Sequence, residues 1–176
     1  MKNSVQNVER ALIEAAAVKV GGVFEIDCYD RDGNIKWKDI AKNLVVNAGL
    51  NHILDVIFHG TTQVNPWYVG LKLTGTVKAA DTLSSHASWS EATVYSGNRP
   101  AYVEAAASGQ SITNSANKAS FTIDASATIA GAFVASASAG TSGTLMCGAD
   151  FTAPRGVESG DTLEVTYTIS AADDGV

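Results

Sequence analysis

Apolar side chains recurring at every second position constrain this chain most. Near the C-terminus Leu163, Val165, Tyr167 and Ile169 alternate with Glu164, Thr166 and Thr168. In the middle, Trp67, Val69, Leu71 and Leu73 alternate with Tyr68, Gly70 and Lys72. A period of two sends neighbouring side chains to opposite faces, so each stretch reads as a strand with one dry and one wet face. The same pattern runs through Phe24, Ile26 and Cys28, through Ile35 and Trp37, and through Phe121 and Ile123. Ile129, Gly131, Phe133 and Ala135 are expected to share one face, as are Leu145, Cys147, Ala149 and Phe151. Turn chemistry separates these runs. Asp30-Arg31-Asp32-Gly33-Asn34 suits a tight hairpin, Gly140-Thr141-Ser142-Gly143 a second, and Ser159-Gly160-Asp161 opens the last strand. The expectation is a mainly β protein, an antiparallel β-sandwich of jelly-roll type.

Two segments break the alternation with helical spacing. In residues 4–18, Val5, Val8, Leu12 and Ile13 fall on one stripe, with Ser4 as N-cap. Gly21-Gly22 then interrupts the pattern, so residues 1–20 read as a helical arm that packs at home or reaches to a neighbour. In residues 48–58, Leu50, Ile53, Leu54 and Ile57 make one apolar face, which predicts a helix lying across a sheet or plugging an end. Residues 21–170 form the β domain, and Ala171–Val176 is expected to be a fraying tail. The stretch from 104 to 149 is rich in Ala, Ser, Gly and Thr, but Phe121, Ile123, Ile129, Phe133, Leu145 and Met146 keep a core pattern through it.

The 176 residues suit one domain, and only 17% are charged, against roughly 25% in typical soluble domains. Some of the surface is therefore expected to be covered by a partner. The net charge is −6 and no basic run occurs, which argues against direct nucleic-acid binding. No stretch reaches 18 apolar residues, so no membrane span is expected, and the N-terminus lacks a secretory h-region. Cys28 and Cys147 lack zinc spacing and read as two free core thiols, with a disulfide as the alternative.

Candidate chemistry is sparse. His52, Asp55 and His59 lie at i, i+3 and i+7 and could offer a metal two imidazoles and a carboxylate, but an ordinary polar stripe explains them. Asp30, Asp32 and Asn34 suggest a calcium loop, yet Gly33 and Ala41 stand where the EF-hand pattern does not place them. No serine occupies a nucleophile elbow, and Cys147 is expected to face inward. No pair of carboxylates is singled out for glycoside chemistry. No catalytic residue, cofactor or metal is assigned. Trp89, beside a loop, is the aromatic expected to be exposed and available to a sugar.

The stretch Asn43-Leu44-Val45-Val46-Asn47-Ala48-Gly49-Leu50, followed by Trp67-Tyr68-Val69-Gly70-Leu71, resembles virion proteins of tailed bacteriophages and prophages. Ala80-Asp81-Thr82, Ser85 to Trp89, Glu91, Tyr95-Ser96, Arg99-Pro100, Gly160 to Leu163 and Val165 to Thr168 extend the resemblance. Its implied role is that of a small β-sandwich protein that cements or decorates a capsid. The implied partner is the major capsid protein, with the chain a homo-oligomer on the virion surface and no turnover. On that reading Val5, Val8, Leu12 and Ile13 are the subunit contacts. The alternative is a tail- or fibre-associated module that binds a glycan or receptor.

Overall fold

The Asp30–Asn34 turn makes the hairpin it predicts, and the rest of the fold is laid against it. The computed structural model describes residues 18–173. Strands β1 (Val18–Tyr29) and β2 (Ile35–Val45) pair antiparallel, with Cys28 opposite Trp37. Helix α1 (Asn47–Phe58) follows, then β3 (Trp67–Lys72), β4 (Ala101–Tyr102) and β5 (Ser111–Thr113). The chain ends with β6 (Ala119–Thr122), β7 (Ala127–Ala135), β8 (Leu145–Val157) and β9 (Thr162–Asp173).

Mainly β and antiparallel is what the structure shows, but the nine strands lie in one sheet rather than two facing ones. Their order is β4-β3-β7-β8-β2-β1-β9-β5, with β6 also on β9. Strand β2 makes the sheet continuous. Its first part pairs with β1, and Asn43–Val45 then pair with β8. The sheet curls into a half-barrel. Residues 90–96 stitch its open side: Ala92 N–H donates to Leu71 O at 2.8 Å on β3, and Ser96 N–H to Thr122 O at 3.0 Å on β6.

The alternation holds where no bulge intervenes. Phe24, Ile26, Leu163, Val165 and Tyr167 are buried inside the curl, and Phe24 stacks on Tyr167 with ring centroids 4.3 Å apart. Full burial of such side chains contributes about 1.5–3 kcal/mol each. In β7 and β8 the register shifts between Ile129 and Gly131 and again between Val134 and Ala135. A bulge flips every later side chain. Ile129 and Val134 therefore join the inner core, while Phe133 and Ala135 face outward, and Leu145 parts from Cys147 and Ala149. The outward set is not wet. Val77, Leu83 and Trp89 from the long loop cover Phe133 and Leu145 in a second, smaller core.

Three boundaries differ from the sequence reading. Gly21 and Gly22 lie inside β1, paired with Ser170 and Ile169. A side chain at Gly22 would come within 2.5 Å of Thr168 O and 2.8 Å of the Tyr167 ring, so glycine there permits close approach rather than a break. The expected fraying tail is ordered as far as Asp173, which pairs with Val18. Helix α1 does not lay its apolar face on the sheet. It approaches β8 through Gly49, where a Cβ would sit 2.1 Å from Met146 O. Ile53 packs on the core, but Leu50, Leu54, Ile57 and Phe58 remain exposed. The expected helical arm, residues 1–20, lies outside the described residues up to residue 17, and Val18 to Val20 already belong to β1.

Candidate functional site: a polar cleft and an apolar groove

Among the described residues, two of the concave surfaces contrast most in chemistry. The first is a polar cleft of about 160 Å³ between residues 91–99 and the 138–140 turn. Its floor is an ion pair. Arg99 Nε and Nη2 donate to the two Glu91 carboxylate oxygens at 2.6 Å each, a bidentate fork. Nη1 and Nη2 also donate to Ala137 O and Gly140 O respectively, both at 2.7 Å. Arg99 thus ties the stitching segment to the β7–β8 turn through four hydrogen bonds. Tyr95 donates to Glu91 Oε1 at 3.4 Å, and its phenol is raised well above the ordinary range by burial. Thr93, Asn98 and Ser138 line the rest of the rim.

The second is an apolar groove of about 350 Å³ beside the start of β1. Val20 of β1, Ile53 of α1, Ile112 of β5 and Ile169 of β9 line it. A neighbouring hollow of about 170 Å³ continues past Ile112 and Ile169 to Trp67, Tyr102 and Met146. Enclosed small-molecule sites typically span roughly 300–1,000 Å³ and hold a few convergent polar groups. The polar cleft is too small to enclose such a ligand, leaving only its edge for contact, and the larger groove is apolar.

The structure disperses the residues that the sequence brings forward. Val5, Val8, Leu12 and Ile13 lie outside the described residues. His52 packs edge-on against Trp67 at 5.2 Å, away from Asp55 and His59 as a ligand set. Among the described residues no three His, Cys, Asp or Glu side chains are placed to share a metal ion. Asp30 is occupied by its own turn, accepting from Asp32 N at 2.9 Å and Asn34 N at 2.8 Å. The Asn34 backbone bond holds its carboxyl below the ordinary range. Cys28 and Cys147 are free and buried. Burial pushes each thiol up to about 11, so neither is a thiolate at neutral pH.

Trp89 corrects the expectation of an exposed platform. It is 4% exposed, stacked on His86 at 4.0 Å, and its indole donates to Asp81 Oδ2 at 2.9 Å. The long loop folds back over the sheet, so proximity to a loop did not mean exposure. The Glu91–Arg99 clamp and the groove were both missed. Their residues come from distant segments, and no local spacing marks them.

The described residues form a mainly antiparallel β domain with a small polar cleft and a larger apolar groove, and among them no helix is long and apolar enough to cross a membrane. The family model described as podophage GP4 fiber I protein gp80 matches residues 45–170, and the chain belongs to that family. It is thus a tailed-phage virion protein of a fibre family. No curated protein matches the chain.

Proposed function

We propose that this chain is a structural component of a phage fibre, working by protein contact and without turnover. The family match over residues 45–170, which covers β3 to most of β9, carries the reading. The chemistry supports it. Both thiols are protonated at neutral pH, and the buried Arg99 guanidinium of the polar cleft makes four hydrogen bonds within the fold. A capsid-cement role would need the same rigid domain, but the family description names a fibre protein, and this favours the fibre.

Copy number tests the proposal. Quantitative mass spectrometry of purified virions is expected to find this chain at a small fraction of the major capsid protein. An equimolar ratio would instead support cement on the shell.

The receptor-binding form of the fibre reading has one location in its favour, the cleft edged by Thr93, Asn98 and Ser138. These side chains carry hydroxyl and amide groups suited to a saccharide, and they edge the cleft that the Glu91–Arg99 clamp holds in shape. Asn98→Ala is expected to abolish glycan-array binding while leaving the melting temperature unchanged. Equal binding by the variant and the parent would remove the cleft from consideration.

A further inference from the structure

We propose that the apolar groove and the bare face of α1 are the docking site of this chain's own N-terminal segment, residues 4–13. This goes beyond the fibre reading and does not depend on it.

The receiving surface is continuous. Ile53 lines the groove together with Val20, Ile112 and Ile169. Leu50, Leu54 and Ile57 stand at i−3, i+1 and i+4 from Ile53, so all four share one helix face. Leu50 is 40% exposed, Leu54 55% and Ile57 63%. An apolar stripe that runs out of a groove and ends bare on a helix is a surface made to be covered.

The occupant follows from where the chain goes. The first described residue is Val18, and Val20, two positions on, is itself a wall of the groove. The preceding segment is therefore tethered at the rim. Its Val5, Val8, Leu12 and Ile13 recur at helical spacing and offer a stripe of the same kind. Lengths agree as well. Residues 4–13 as a helix measure about 15 Å, against about 18 Å for α1. The intervening residues 14–17 span up to about 13 Å when extended, enough to turn back onto the rim. A tether this short gives an effective concentration in the millimolar range, which favours the chain's own segment over a free partner.

Arg10 lies between Val8 and Leu12 and provides a trypsin site inside the proposed contact. In the full-length chain, Leu54→Asp and Leu12→Asp are each expected to speed cleavage after Arg10 by roughly tenfold or more, as loss of a protective closed state does. The double variant should add nothing further, because both substitutions break the same contact. Ile35→Asp, at an equally exposed site on the β1–β2 hairpin, is expected to leave the rate unchanged. All variants should keep the parent's near-ultraviolet circular dichroism, since Leu54 and Ile35 are exposed. Cleavage after Arg10 that is indifferent to Leu54→Asp would overturn the proposal. So would parent protection that disappears on dilution, which would mean that a second copy supplies the cover.

Discussion

The Arg99 guanidinium holds two separate loops at once, and its geometry decides what a substitution does there. Arg99→Lys keeps the charge but cannot make a bidentate fork to Glu91 while also reaching Ala137 O and Gly140 O. We expect a loss of about 2–4 kcal/mol, seen in calorimetry as a fall in Tm of several degrees. Glu91→Gln should fall in the same range, because it leaves the buried guanidinium without its counter-charge. Trp89 behaves similarly for a different reason. Its indole fills the second core against Phe133 and is hydrogen-bonded to Asp81, so Trp89→Ala should cost about 3–5 kcal/mol. A variant that kept full stability and lost only sugar binding would contradict this placement. Neither residue could be assigned from sequence. Glu91 and Arg99 are partners across an irregular segment, and the burial of Trp89 depends on where a long loop folds.

The paired elements owe part of their stability to charges that the sequence placed but did not connect. Asp27 on β1 faces Lys38 on β2, with Nζ to Oδ1 at 2.8 Å, and also meets Lys118 at 3.2 Å. The Lys38 bond leads in holding the Asp27 carboxyl below the ordinary carboxylate range, Lys118 assists, and burial partly opposes them. A carboxyl with a lowered folded pKa stabilises the fold above its ordinary value, 3.8, and loses that contribution as pH falls through the folded value. Lys38 and Lys118 are raised, so their share is present below 10.5 and is lost as pH climbs above it. The Tm of Asp27→Asn is therefore expected to lie below that of the parent by a constant amount between about pH 5 and pH 9. The gap should close as the pH drops below about 4. A gap that is unchanged at about pH 2.5 would show that the ion pairs contribute nothing.

Strand existence was legible because period-two alternation is local, and so was the hairpin, because Asp-Gly turn chemistry is local. The faces of β7 and β8 were not, since a bulge reverses inside and outside without any mark in the apolar pattern. Gly22 was misread as a break because a close approach to Tyr167 becomes visible only when β9 lies beside β1. For α1 the stripe was visible but its destination was not. The helix meets β8 through Gly49 instead, which leaves the leucines bare.

At the scale of the whole molecule, one continuous strand decides between a sandwich and a curl. Strand β2 pairs with β1 and then with β8, so two layers that alternation alone cannot distinguish become one sheet. The loop from β3 to β4 covers the outer face of that sheet. Lys72, fully buried, fastens the loop by donating to Gly75 O at 2.7 Å and pairing with Asp150 at 2.8 Å. Lys72→Ala removes one partner of a largely buried ion pair and should destabilise by about 3 kcal/mol. Hydrogen exchange is expected to quicken first in residues 73–89 if the fastening is what matters. Uniform quickening across all strands would assign Lys72 to the core as a whole. Its alternating position on β3 gave no hint of this, because a lysine on a strand ordinarily faces water.

The low charge content and the fibre family both support the proposed role as a structural component of a phage fibre. Immunogold electron microscopy of intact virions with antibody to this chain is the most direct test of that account. Label confined to the fibres is the predicted result, and label spread over the capsid shell would contradict it.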